Sequence, residues 1–197
     1  MVSLVLAGVG GQGIITVANI VGKAALIEGK NALMTELHGM AQRGGKIVVE
    51  VRIGDYKSAI IPARSADIML AFEELEGARN LSKLKESGVI LLNRRMIHPV
   101  SLTMKIQDYP ERIVAEALSK YKTITVDADQ IAMNLGNKRV ANTAMIGATF
   151  STGLLNLSEG SLITAIKDSL PEKHWNINKK AFERGKIIPA FETAKVA

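Results

Sequence analysis

Two glycine-rich segments hold the residues of this chain best suited to chemistry. The first, Gly8-Val9-Gly10-Gly11-Gln12-Gly13, runs straight into Thr16. A glycine turn between strand and helix lets backbone N–H groups approach a phosphate, and the positive helix end favours its charge. The second is Thr35-Glu36-Leu37-His38-Gly39-Met40-Ala41-Gln42-Arg43-Gly44-Gly45. There Arg43 offers a bidentate contact to phosphate or carboxylate, and Gly44 and Gly45 allow a tight turn or a close ligand. His38 is a candidate donor, acceptor or acid near neutral pH. The plainer alternative is an ordered turn whose histidine and arginine cap carbonyls or meet Glu36.

Glu36 follows Gly13 by 23 residues, close to the roughly 20-residue spacing of a ribose-binding acid in dinucleotide enzymes. A stand-alone NAD(P)-dependent oxidoreductase is therefore one reading. Against it, Gly11 and Gln12 depart from the usual fingerprint, and no Tyr-Lys pair at helical spacing offers hydride chemistry.

These segments need elements to hold them. Val2–Ala7 reads as a buried strand, and Ile14, Ala18, Val21 and Ala25 recur at helical spacing after it. Further strands are expected at Ala32–Thr35, Asp67–Phe72, Val89–Leu92 and Thr123–Val126, and helices at Gln12–Glu28, Glu74–Lys85, Pro110–Lys120 and Ala128–Leu135. Lys46–Ile53 and Tyr56–Ile61 flank Gly54-Asp55, which predicts a β-hairpin inserted into the alternation. The last quarter reads as helices over Arg139–Leu155, Ser161–Leu170 and Asn176–Ile188, with Pro189 ending the last. The expected fold is a three-layer α/β/α domain spanning residues 1–197, with a Rossmann-like, largely parallel but mixed sheet. Gly8, Glu36, Glu73, Asn93 and Asp127 stand at the carboxyl ends of the strands, where open α/β sheets bind ligands.

Composition narrows the chemistry. With no cysteine among 197 residues, the chain has no thiolate for an iron–sulfur cluster, no disulfide and no cysteine nucleophile. Lys+Arg 25 against Asp+Glu 19 gives a net charge of +6, which favours anionic ligands. No helix pattern carries a dense basic stripe and aromatic residues are scarce, so no nucleic-acid role is expected. No apolar run is long enough to span a bilayer. The apolar start lacks a basic leader and runs into the glycine turn, so a strand and a cytoplasmic setting are expected rather than a signal peptide.

The two glycine segments together resemble the gamma-type domain of the 2-oxoacid:ferredoxin oxidoreductases, in particular the indolepyruvate branch. Further agreement comes from Ala66-Asp67-Ile68-Met69-Leu70-Ala71-Phe72-Glu73, from Asn142-Thr143-Ala144-Met145-Ile146-Gly147-Ala148 and from Asn178-Lys179-Lys180-Ala181-Phe182-Glu183-Arg184-Gly185. These stand in the family's order along nearly the whole chain.

The resemblance implies a subunit of an enzyme that oxidatively decarboxylates a 2-oxoacid with coenzyme A, giving acyl-CoA, carbon dioxide and reduced ferredoxin. Aryl pyruvates are the implied substrates, with pyruvate and other 2-oxoacids as the alternative. Thiamine diphosphate, magnesium and iron–sulfur clusters are implied for a large partner subunit, with none on this chain. Gly54-Asp55-Tyr56 with Asn80 only superficially matches a thiamine motif, since the second glycine is missing. Carried over, Gly8, Gly10, Gly11, Gln12, Gly13 and Thr16 are candidates for coenzyme A, with Glu36, His38, Arg43, Gly44 and Gly45 near a shared active-site mouth. Glu73 and Asn142 read more simply as a strand-end cap and a helix-packing contact. A purely structural subunit is a third reading.

Overall fold

The computed structural model describes residues 1–39, 45–96 and 109–187. Six strands form one sheet: β1 (Val2–Val9), β2 (Ala32–His38), β3 (Lys46–Ile53), β4 (Ala66–Ala71), β5 (Leu84–Asn93) and β6 (Lys122–Val126). Their order is β2-β3-β1-β4-β5-β6, with β1, β4, β5 and β6 parallel and β3 antiparallel to both β1 and β2. The described helices are α1 (Ile14–Ile27), α2 (Glu74–Arg79), α3 (Glu111–Ser119), α4 (Ala128–Asn134), α5 (Ala141–Ser151), α6 (Glu159–Ser169) and α7 (Trp175–Lys186).

Strand alternation divides the core in two. Leu4, Leu6, Ile68, Leu70 and Leu91 face a large cluster with α1 and α4 to α7, whereas Val5, Met69, Ala71 and Ile90 face α2 and α3. Each fully buried Leu or Ile contributes about 1.5–3 kcal/mol by leaving water. The central strands are apolar on both faces because both are covered. All four apolar positions predicted on α1 are buried. The mixed three-layer sheet and the helical C-terminal region are as the sequence predicts, with β5 and β6 running longer or starting earlier than expected.

Two local expectations fail. Gly54-Asp55 does not turn into a second strand. Gly54, at φ +115°, donates its N–H to the Asn31 carbonyl, and Asn31 Nδ2 donates to Asp55 Oδ1. β3 pairs antiparallel with β1 on one side and with β2 on the other, and not with the segment after Gly54-Asp55. The following segment is tied down by side chains of β3: the Arg52 guanidinium donates to the Ser58 and Ile60 carbonyls, and Glu50 accepts the Ile61 N–H. The predicted helix Glu74–Lys85 also stops early. Asn80 turns its side chain back onto the Glu76 carbonyl, a single 3-10 turn follows at Leu81–Lys83, and β5 begins at Leu84. Pro189 lies outside the described residues.

Candidate functional site

The first glycine segment is built around Gln12. Its Oε1 accepts the Val9 N–H at 2.6 Å and its Nε2 donates to the Phe72 carbonyl, just past β4, at 2.8 Å. A Cβ at Gly8 would strike Gln12 Oε1 and Ile14 Cδ1, so glycine there makes room for that latch. The Gly10 N–H donates to the Gly45 carbonyl at 2.8 Å, which joins the two glycine segments directly. Gly13 opens α1 at φ +74°, a left-handed conformation suited to glycine. No side chain caps this helix; the Val17 N–H donates to the Gly13 carbonyl at 3.2 Å, and the N–H groups of Ile14, Ile15 and Thr16 have no protein partner among the described residues.

A cavity of about 400 Å³ lies beside this helix start, with Gly13 and Thr16 in its lining. One wall is Gly11, Gly13 and Thr16; Asn93 and Arg95 stand at the end of β5, with Asp129 on α4. Arg95 is paired to Asp129 Oδ1 at 3.2 Å. Lys138 and Arg139 also line the cavity, and neither has an ion-pair partner among the described residues. They lead into the N-terminus of α5, whose first turn carries no acid. The helix dipole disfavours cations there, so two unpaired ones leave a positive charge that an anion would neutralise. Asn93 is only 3% exposed, yet its Oδ1 has no hydrogen-bond partner among the described residues.

A second cavity, about 270 Å³, shares Thr16, Arg139 and Asn142 with the first. Ile20, Val140, Leu170 and Pro171 make much of its lining apolar, while Lys173 and His174 bring polar groups. Asn142 stands at the junction. Its Nδ2 donates to the Gln12 carbonyl at 2.8 Å, and a Cβ on Gly13 would collide with it. Asn142 thus packs the glycine turn against α5 and also faces both cavities.

The predicted residues divide clearly. Gly11, Gln12, Gly13 and Thr16 line the larger cavity, Gly8 and Gly10 shape the turn behind it, and Gly45 is hydrogen-bonded to Gly10. Arg43 and Gly44 lie outside the described residues. Glu36 and His38 go elsewhere. They sit on edge strand β2, paired opposite Val49 and Ile47, with His38 Nε2 2.9 Å from Glu36 Oε2, and neither lines either cavity. Because β3 lies between β2 and β1, Glu36 is about 10 Å in the sheet direction from the strand bearing the glycines. That placement removes the geometry on which the NAD(P) reading rests.

Glu73 is the cap expected of it. Its carboxylate accepts the Glu76 N–H at 2.8 Å and the Tyr109 hydroxyl at 2.6 Å. Burial and contact with Glu73 push the Tyr109 phenol above its usual range. Arg95, Lys138, Arg139 and Lys173 were not among the residues read from sequence. A dibasic pair at the start of a helix pattern, where the dipole opposes it, is the signal that would have marked Lys138 and Arg139.

The sequence matches the pyruvate ferredoxin/flavodoxin oxidoreductase family over residues 3–187. The chain belongs to this family. It is 39% identical over 189 residues to the indolepyruvate oxidoreductase subunit IorB of Thermococcus kodakarensis, covering 93% of each chain. It is 32% identical over 186 residues to the 2-oxoglutarate synthase subunit KorC of Methanothermobacter thermautotrophicus, covering 93% of this chain and 92% of that one. Among solved structures, the keto/oxoacid ferredoxin oxidoreductase gamma subunit of Geobacter sulfurreducens aligns with a TM-score of 0.70 at 25% identity, over 94% of this chain and 96% of that one. The fold also matches part of the 2-oxoglutarate:ferredoxin oxidoreductase of Magnetococcus marinus, solved with 2-oxoglutarate, coenzyme A and succinyl-CoA bound. There the TM-score is 0.71 at 21% identity, over 94% of this chain and 30% of that one.

In extent and fold the chain is a gamma-type subunit of a 2-oxoacid oxidoreductase. Among the described residues, no three His, Cys, Asp or Glu side chains gather to hold a metal, and no helix is long and apolar enough to cross a membrane.

Proposed function

We propose that this chain is the small subunit of a cytoplasmic oxidoreductase that converts aryl pyruvates such as indolepyruvate, with coenzyme A and oxidised ferredoxin, to acyl-CoA, carbon dioxide and reduced ferredoxin. In this reading the chain holds part of coenzyme A, while a larger partner subunit carries thiamine diphosphate, magnesium and iron–sulfur clusters. Thiamine diphosphate supplies the carbon chemistry of decarboxylation and the clusters carry its electrons. This chain's own contribution is to bind and orient the co-substrate against the partner.

One observation carries the coenzyme A reading. The uncapped start of α1 lies beside a cavity, lined in part by Gly13 and Thr16, that also holds Lys138 and Arg139, neither with an ion-pair partner among the described residues. Helix-terminal amides, two free cations and the open space beside Gly11, at φ +95°, are the parts a diphosphate requires. The Magnetococcus enzyme, which shares this fold over part of its chain, binds coenzyme A, and that supports the same co-substrate here. The substrate branch rests on similarity: 39% identity to an indolepyruvate subunit against 32% to an oxoglutarate one.

A structural role without ligand contact has one observation in its favour. The Gly10 N–H and both ends of the Gln12 amide are already used inside the protein. Co-expression with the large subunit, followed by assay on indolepyruvate, pyruvate and 2-oxoglutarate, tests both readings. Arg139→Ala is expected to raise KM for coenzyme A about tenfold, from the loss of one charge-assisted contact, with kcat little changed. An unchanged KM contradicts the proposal and favours the structural role. Preference for pyruvate or 2-oxoglutarate overturns the branch assignment alone.

A further inference from the structure

The two edges of the sheet are built differently. β6 is short, begins with Lys122 and turns Ile124 and Val126 into the core. β2 has seven residues, pairs with β3 along its whole length without a bulge, and contains neither proline nor lysine. Its outer side has no strand partner among the described residues. Met34 is 38% exposed there and Leu37 53%. Beside this edge, α1 and the sheet leave an open cavity of about 190 Å³, lined by the small residues Ala18, Gly22 and Ala32 and by Met34 and Leu26. A regular, apolar edge with no guarding lysine, proline or bulge is a template for another strand.

We propose that β2 pairs antiparallel with β2 of a second copy of this chain, about a two-fold axis at Thr35, joining the two six-stranded sheets into one. The strand's own sequence carries the argument. Reversed about Thr35, Ala32-Leu33-Met34-Thr35-Glu36-Leu37-His38 sets Leu33 against the partner's Leu37, Leu37 against the partner's Leu33, and Thr35 against the partner's Thr35. These three share one face of the strand, so exposed Leu37 is covered and the seam gains apolar and Thr–Thr cross-strand pairs. On the α1 face Met34 meets the partner's Glu36 and Ala32 the partner's His38, and no like charges oppose. An axis at Glu36 would set two carboxylates opposite each other, which destabilises a sheet. One at Met34 would leave Leu37 uncovered.

A two-fold axis perpendicular to the sheet keeps α1 of both copies on one side, where Leu26, 62% exposed, and Met34 meet their counterparts over the open cavities. No residue of β2 lines the groove formed by the two cavities at the start of α1, so the seam is separate from that groove and independent of the coenzyme A reading.

The absence of cysteine makes introduced thiols a direct probe of this register. Directly opposed residues of antiparallel strands have Cα atoms about 4.5–5.5 Å apart, within the span of a disulfide. The full-length Thr35→Cys chain is therefore expected to form a covalent dimer under mild oxidation. Leu37→Cys, although well exposed, is expected to stay monomeric, because its two copies lie four residues out of register, about 13 Å apart. Adding Leu33→Cys to Leu37→Cys is expected to restore the cross-link. By sedimentation the wild-type chain is expected to be a dimer. Leu37→Lys is expected to weaken self-association at least tenfold with Tm unchanged, since its charge meets the partner's Leu33 only in the dimer.

A monomeric wild-type chain overturns the proposal, as does a Leu37→Cys chain that cross-links as readily as Thr35→Cys. If Thr35→Cys melts early, comparison of the Leu33→Cys/Leu37→Cys double variant with its two single variants decides the register. A Leu37→Lys chain that self-associates like wild type but no longer holds the large subunit assigns this edge to that subunit, and overturns pairing between copies.

Discussion

The crossing of α5 and α7 sets the back of the groove, and it is held closed by glycine. A Cβ built at Gly185 would run into the Ala144 carbonyl, and one at Gly147 into the Phe182 carbonyl. In each case the obstacle is backbone rather than a side chain that can swing aside. Gly185→Ala therefore forces the two helices apart and unpacks Ala144, Ala181 and Phe182, all buried there. Overpacking costs about 1–3 kcal/mol, and backbone against backbone belongs at the upper end. For a chain of this size that lowers Tm by about 6–12 °C, at roughly 2–4 °C per kcal/mol. Gly160→Ala is the control. It lies in α6 with its nearest atom, Ser158 Oγ, 4.0 Å from the added Cβ, so it is expected to gain about 0.5 kcal/mol from helix propensity. Scanning calorimetry of the two variants at one pH decides. A Gly185→Ala protein melting within about 2 °C of wild type, or a Gly160→Ala protein falling as far, refutes the packing argument. Because α5 carries Asn142 and Thr143 and α7 carries Asn178, all lining the smaller cavity, Gly185→Ala is also expected to weaken coenzyme A binding.

Three other perturbations probe the frame around the site. Gln12→Leu leaves the Val9 N–H and the Phe72 carbonyl without their partner, a loss of about 2 kcal/mol or more, read as a lower denaturant midpoint at unchanged slope. Lys83→Met removes the ammonium 2.8 Å from Oε1 of the fully buried Glu50; because Lys83 itself is part-exposed, a loss of about 1–3 kcal/mol is expected, and a loss below that of a typical surface change would show the pair to be dispensable. Glu28 accepts from Lys30 Nζ, the Ser158 N–H and Ser161 Oγ, with the Lys30 contact foremost in lowering its pKa from 4.5 to about 2. A depressed carboxylate stabilises the fold fully above pH 4.5 and progressively less as pH falls toward 2; Glu28→Gln is therefore expected to lower Tm at pH 7 and converge with wild type near pH 2, and parallel Tm curves down to that pH would contradict it.

Much of this architecture is visible in local patterns. The run Val2–Ala7, the helical spacing from Ile14 to Ala25 and the intervening glycines specify β1, α1 and the turn between them, because strand period, helix period and turn chemistry agree there. The failure at Gly54-Asp55 has a physical cause. The dipeptide supplies turn conformation, but strand pairing is decided at a distance, and Glu50 and Arg52 occupy the backbone groups of the segment that would have paired. The cationic half of the groove was hidden for a similar reason. Arg95, Arg139 and Lys173 come from the end of β5, a 3-10 turn and the approach to α7, and only the folded sheet brings them around Thr16 and Asn142. Glu36 shows the converse: its spacing from Gly13 fits a dinucleotide enzyme, yet insertion of β3 carries it away from the glycine turn.

The central claim is that coenzyme A meets this chain at the start of α1. Titration of the isotopically labelled chain with coenzyme A, followed by amide resonances, reads that contact residue by residue. The account predicts shifts concentrated at Gly11, Gly13, Ile14, Ile15 and Thr16 and at the Asn142 side-chain amide, with Glu36 and His38 unmoved. Unchanged resonances along Gly11–Thr16 at saturating coenzyme A, or shifts centred on β2, would contradict it.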